Sequence, residues 1–219
     1  MTVMATEAHP ATDALLDRWT ALLQRCGTTA DPVPYGRELL RRWAEPQRRY
    51  HTTDHLLAML DQIDLLAEHA ADPDTVRLAA WFHDAVYKPD RSENEERSAQ
   101  LAIRALREAG VAEPRIEEVA RLVRLTVSHH PEPGDRDGEV LCDADLAVLG
   151  GAAEQYAAYA AAVRAEYSFV PEQAFRTGRA AILRQLLALP GLYRTPTAVE
   201  RYTERARANL AAELSSLES

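Results

Sequence analysis

The sequence predicts an all-α fold, a single bundle of about 8–10 helices over residues 1–219. Three observations carry that expectation. Apolar residues recur at the three-to-four spacing of a helix face. The apolar/polar alternation of strands is essentially absent. The chain is rich in Ala, Leu, Arg and Glu and poor in β-branched runs and glycine. In chain order, Leu15, Leu16, Trp19, Leu22, Leu23 and Cys26 mark a first helix over 12–26 with Thr12 as its cap. A short helix around Gly36 to Trp43 ends before Pro46. Leu56, Leu60, Ile63 and Leu66 continue a face opened by His51 and His55, which stand at the i, i+4 spacing of helix neighbours. "DPDTVRLAAWFHDAVY" starts with Asp and Pro, a good helix start, and ends before Pro89. "SENE" reads as a capping box of Ser92 with Glu95, opening a helix to about Ala109. "EPRIEEVARLVRLTVSHH" is a helix closed by Pro131, and "PEPGDRDGE" is the clearest loop in the chain. "VLCDADLAVLGG" is short and apolar, with two carboxylates inside it. Helices near Ala152–Tyr167, Pro171–Leu189 and Thr197–Leu214 complete the chain. No internal repeat, low-complexity tract or linker divides it.

Apolar residues are 47% and charged residues 27%, as in an ordinary globular protein. No apolar run approaches the roughly 20 residues of a membrane span. The first residues lack the basic-then-apolar pattern of a signal peptide. Cys26 and Cys142 follow no pattern, and two such thiols suit a reducing cytoplasm, the expected location. The net charge of −9 argues against a long nucleic acid as partner, which needs a basic footprint. It leaves room for a small phosphorylated substrate beside a metal, whose own charge dominates locally. Oligomeric state is open.

Two places put ionisable groups where the pattern reads as buried. His83 and Asp84 lie within "WFHDAVY", and Asp143 and Asp145 lie between Val140, Leu141, Leu146, Val148 and Leu149. Charged groups are rarely buried without a partner or a metal. Imidazole and carboxylate together suit a divalent ion: Mn, Mg, Co, Fe, Ni or Zn. The alternatives are a surface histidine pair and Asp residues that cap a helix.

H…HD…D in an all-α chain resembles the HD-domain superfamily of metal-dependent phosphohydrolases, and more particularly a bacterial subgroup of predicted HD phosphohydrolases. That subgroup's pattern looks like "RxYHxxxH", "WFHDAVY", "NEExSA", "DADLAxLG", "RxEY" and "GR". The chain matches with Arg48/Arg49–Tyr50–His51–His55, Trp81–Tyr87, Asn94–Ala99, Asp143–Gly150, Arg164–Tyr167 and Gly178–Arg179, over about residues 36–193. The resemblance implies that His55, His83, Asp84 and Asp145 are metal ligands. Asp145 is preferred to Asp143 because the superfamily places this Asp in an "AD" dipeptide. On a helix Asp143 points elsewhere; in an extended segment both would face the site.

"YHTTDH" is similar to the "YHNxxHA" of mammalian-type cyclic-nucleotide phosphodiesterases, with Thr52 and Leu56 departing from it. That similarity implies that His51 is the general acid and His55 a ligand; the alternative for His51 is a surface or supporting histidine. Asp84 would also orient the attacking water. Glu95 is either the capping-box partner or a carboxylate acting near the metal. His129 and His130 either build a second metal site or stand as cations at a helix C-terminus, and His129 is also a candidate for substrate binding. Arg164 and Arg179 would bind substrate phosphate, an assignment resting on the family pattern. The function implied is hydrolysis of a small phosphorylated compound, a nucleotide foremost. The rivals are an HD-fold diiron oxygenase, which needs a complete second site, and a non-catalytic nucleotide sensor.

Overall fold

The computed structural model describes residues 9–218. Residues 1–8, part of the stretch read for a signal peptide, lie outside them. Among the described residues ten α-helices follow one another: α1 (Thr12–Arg25), α2 (Val33–Trp43), α3 (Thr53–Leu66), α4 (Pro73–Phe82), α5 (Asn94–Glu108), α6 (Glu113–Leu125), α7 (Arg136–Asp145), α8 (Ala153–Glu166), α9 (Glu172–Ala188) and α10 (Pro196–Glu218). Short 3-10 turns occupy Ala67–His69 and Leu146–Gly150. Among the described residues there is no strand, so the chain is all-α. Among the described residues no helix is long and apolar enough to cross a membrane.

One hydrophobic cluster runs from Leu15 to Leu210. At its centre α4 is buried on almost every side, through Val76, Leu78, Ala79, Ala80, Trp81 and Phe82. It packs on α3, α6 and α7. Each fully buried Leu or Phe contributes about 1.5–3 kcal/mol relative to exposure. Aromatic edges fix the packing. Trp19 meets Trp81 and Phe82 edge-on, and the Trp43 indole N–H donates to the Trp81 carbonyl at 3.1 Å. α1 and α2 approach so closely at Gly36 that a Cβ there would stand 2.6 Å from the Trp19 ring.

Several helix ends differ from the sequence expectation, and two of the differences move the site. α4 stops at Phe82 instead of running toward Pro89, so His83 and Asp84 lie in the turn just past its end. α7 starts inside "PEPGDRDGE", at Arg136, because the Asp135 carboxylate accepts from the Gly138 N–H and caps it. Both Asp143 and Asp145 are therefore helical. The histidine pair does not share a helix face: α3 begins at Thr53, and His51 belongs to the segment before it. Thr12 is the first helical residue, not the cap, and Ala11 precedes it without a side-chain bond. α2 begins earlier than expected, at Val33, where Pro34 suits a first turn. The Ser92–Glu95 capping box does not form. Asn94 takes over that end, accepting from the Lys88 N–H and donating to the Lys88 and Arg91 carbonyls. α10 continues past Leu214 to Glu218.

Candidate metal centre

Three segments converge: the first turn of α3 with His55, the turn after α4 with His83 and Asp84, and the last turn of α7 with Asp145. His55 Nε2 lies 3.3 Å from His83 Nε2 and 3.2 Å from Asp145 Oδ1, and His83 Nε2 lies 3.9 Å from the same oxygen. Ligand atoms about 2.0–2.2 Å from one ion, at angles of 90–110°, stand roughly 3.0–3.6 Å apart. His55, His83 and Asp145 thus form a group that could hold a metal ion. Asp84 Oδ2 stands beside them, 3.2 Å from His83 Nε2. Imidazole and carboxylate together fit a borderline or hard divalent cation.

Each member is oriented from behind. His83 directs Nδ1 at the Ala80 carbonyl, 2.8 Å away, which leaves Nε2 facing the group. The Trp43 ring lies against both imidazoles, with ring centres 6.1 Å from His55 and 5.3 Å from His83. Asp145 divides its carboxylate. Oδ1 faces the ligand group and Oδ2 is 2.8 Å from His129 Nε2. His129 reaches it from a left-handed backbone, φ +49°, a region costly for a side chain with a Cβ. Burial works against charge on His55 and leaves it below its ordinary value despite Asp145. Burial also opposes charge on His83, but Asp84 outweighs it and pulls that imidazole up to about 9. An ion must therefore compete with a proton for His83 Nε2. Burial raises both Asp84 and Asp145, yet the neighbouring histidines take each well below the usual carboxylate range.

Asp143 stays out of this group. Fully buried, it accepts from the Arg194 and Thr195 N–H groups and the Thr195 hydroxyl, and so fixes the start of α10. This is the outcome expected for a helical segment, in which two residues make a rotation of about 200°.

His51 stands next to the group without joining it. Its Nε2 is 3.8 Å from Asp84 Oδ2, and its Nδ1 is 2.7 Å from Glu166 Oε2. Glu166, buried at the end of α8, was not singled out from the sequence. Its Oε1 accepts from the backbone N–H groups of Arg49, Tyr50 and His51, and its Oε2 also accepts from the Tyr87 hydroxyl. Burial alone would raise this carboxyl, but the His51 bond and the backbone donors hold it down at about 2. Burial lowers the His51 imidazole, and Asp84 and Glu166 more than reverse that, raising it above its ordinary value. The signal was present in "RxEY", where the arginine drew the assignment and the glutamate did not. Arg48 was also missed. Buried between the Trp43 and Tyr87 rings, it donates to the His51, Asp84 and Ala85 carbonyls and ties the His51 segment to the His83–Asp84 turn.

The remaining candidates divide. Glu95 and His129 line a polar cleft of about 340 Å³ with His51, His83, Asp84 and Asp145. His130 is an exposed neighbour whose backbone N–H is 3.3 Å from the Ser128 hydroxyl, outside that cleft. Arg164 and Arg179 lie apart from that cleft. Arg164 binds Glu172 and the Tyr167 and Val170 carbonyls, closing the turn between α8 and α9. Arg179 pairs with Glu213 through two nitrogens and with the Tyr159 hydroxyl through the third, joining α9, α10 and α8. Neither lines the cleft, and neighbouring carboxylates, carbonyls and the Tyr159 hydroxyl accept from both guanidiniums.

Compared with family models, curated proteins and solved structures, the chain has no match. Its functional reading therefore stands on the geometry of this site and on the motif resemblance.

Proposed function

We propose that the chain is a metal-dependent phosphohydrolase of the HD type, acting on a small phosphorylated compound, with nucleotides the substrate class. One observation carries the reading: a buried His/His/Asp ligand group beside a further histidine, outside the group, that is backed by a buried carboxylate. A divalent ion bound by His55, His83, Asp145 and the adjacent Asp84 would lower the pKa of a water and polarise the phosphoryl oxygens. The chain's own residues do the rest. Glu166 holds His51 through Nδ1, so the proton on Nε2 is the one available to the leaving oxygen. Water oxygen bonds to phosphorus, the bond from phosphorus to the leaving oxygen breaks, and His51 protonates that oxygen. A proton from the attacking water then returns His51 to its starting form. Asp84, whose Oδ2 lies 3.8 Å from His51 Nε2, would orient the water. The diiron alternative has less support: among the described residues one ligand group is gathered, and His129 already serves Asp145.

The test combines a screen of phosphorylated metabolites and nucleotides, with Mn, Mg, Co, Ni, Zn and Fe(II), and two sets of variants. His55→Ala, His83→Ala and Asp145→Ala are expected to lose bound metal under chelator challenge. Full metal retention by His83→Ala would show the site misassigned. His51→Ala is expected to keep the metal and lose about 10²–10⁴-fold on substrates with a poor leaving group. With p-nitrophenyl phosphate, whose leaving group departs without a proton, it should lose far less. Equal losses on both substrates would remove the general-acid role.

A further inference from the structure

A phosphate dianion in the polar cleft meets carboxylates on its lining, those of Asp84, Glu95 and Asp145. A divalent ion held by Asp84 and Asp145 is matched in charge by those two ligands alone. The dianion therefore requires further positive groups from the protein. His51 is one. Arg164 and Arg179, engaged elsewhere, supply none.

Among the residues lining the cleft, Arg91 is the one arginine or lysine. Its guanidinium has no hydrogen-bond or ion-pair partner among the described residues, Glu95 included. Its backbone, by contrast, is fixed. The segment that leaves the His83–Asp84 turn is fastened to the start of α5 by two buried side chains. Ser98 accepts from the Val86 N–H at 3.0 Å and donates to the Val86 carbonyl at 3.3 Å. Asn94 accepts from the Lys88 N–H at 3.0 Å and donates to the Lys88 and Arg91 carbonyls at 2.9 and 3.1 Å. The turn that carries His83 and Asp84 to the ligand group thus continues into a fastened segment that brings Arg91 to the same cleft. The Arg91 side chain is exposed. A group that grips an incoming anion has to be, because a guanidinium already paired inside the protein has no donors to offer. Its planar fork matches two oxygens of one phosphoryl group, which a lysine cannot do.

We propose that Arg91 is the residue that binds the substrate's phosphoryl group, donating to its non-bridging oxygens while the His55–His83–Asp145 group holds the ion. The assignment rests on the phosphohydrolase reading. It gives Arg91 the role that the sequence pattern suggested for Arg164 and Arg179.

Inorganic phosphate is titrated by calorimetry into the full chain with Mg, Mn or Co in turn, and turnover of phosphate esters is measured on the same samples. Arg91→Ala is expected to weaken phosphate binding about 10–100-fold and to raise KM by a similar factor, with kcat falling less. Metal content and Tm should stay at wild-type values, because the side chain has no partner to lose. Arg91→Lys keeps the charge without the fork and should recover part of the affinity. Arg97→Ala is the control, an exposed arginine on α5 that does not line the cleft, and should bind phosphate as the wild type does. Unchanged phosphate affinity in Arg91→Ala would overturn the proposal. So would equal losses in Arg91→Ala and Arg97→Ala, the mark of a general attraction to positive charge, or no phosphate binding by the wild type with any of the ions. The phosphohydrolase reading fails on a different result, the absence of metal-dependent turnover of any phosphorylated compound by the wild-type chain. Metal-dependent turnover with the same KM in Arg91→Ala would sink the Arg91 assignment and leave that reading standing.

Discussion

Glu166 changes what can be said of His51. A histidine beside an ion-binding group tends to lose its proton to burial and to the ion's charge. Here a carboxylate with no exposed side-chain surface is bonded to its far nitrogen and to three backbone N–H groups of its own segment. Its folded value of about 2 lies below the ordinary 4.5, so its contribution to stability is fully present above about pH 4.5 and lost as pH falls toward 2. Glu166→Gln is therefore expected to cost on the order of 2–3 kcal/mol near pH 6. That difference from wild type should shrink steadily below pH 4.5, as read by urea unfolding at a series of pH values. A constant difference down to pH 2.5 would show that the carboxylate carries no charge-dependent role. The two aspartates of α7 make a second residue-scale contrast. Asp143→Asn is expected to keep metal binding and to lose about 1–3 kcal/mol of stability, because a buried amide meets the Arg194 and Thr195 N–H groups with one acceptor oxygen where the carboxylate offered two. Asp145→Asn should show the opposite pattern, with metal lost and the fold retained.

At the scale of elements, the ends of helices place the chemistry. α4 stops at Phe82, and the turn beyond it carries His83 and Asp84 together to the ligand group. α7 starts at Arg136, inside the segment whose sequence reads as a loop, and its helical register turns Asp143 toward α10 and Asp145 toward His55. The 3-10 turn after α7 is itself clamped by α10. A Cβ on Gly150 would stand 2.5 Å from the Tyr202 Cβ and 2.9 Å from its backbone, and neither can withdraw as a flexible tip would. Gly150→Ala is thus expected to push α10 from the turn and destabilise the chain by about 1–3 kcal/mol. A measured loss under 0.5 kcal/mol would mean that the contact is looser than described. Gly178, with no atom within 4 Å of an added Cβ, is the matched control, and Gly178→Ala on α9 should be neutral or slightly stabilising.

For the whole molecule, the ligand group joins three parts of the bundle, the first turn of α3, the turn after α4 and the last turn of α7. An ion shared among them binds only the folded chain, so it is expected to stabilise all of it. Metal at about 100 times its Kd adds about 2.7 kcal/mol, or roughly 5–10 °C in Tm for a chain of this length. Calorimetric scans with metal and with EDTA should differ by that amount in wild type and coincide in His83→Ala. A Tm shift of equal size in His83→Ala would place the ion elsewhere.

The helices were readable because apolar spacing is local: α1, α3, α6, α8 and α9 need only residues three and four apart to declare a buried face. The grouping of His55, His83 and Asp145 was likewise readable, since ionisable groups inside apolar runs call for a partner whatever the fold. Three things were not local. His51 looked like a helix neighbour of His55 because spacing alone cannot say where a helix begins. Arg164 and Arg179 looked free because nothing nearby in sequence showed that Glu172 and Glu213 would take their donors. Glu166 reaches His51 across 115 positions, and the two come together only because α8 packs its last turn under the segment preceding α3. Periodicity fixes which side of a helix is buried. Which buried carboxylate meets which imidazole depends on how the helices pack.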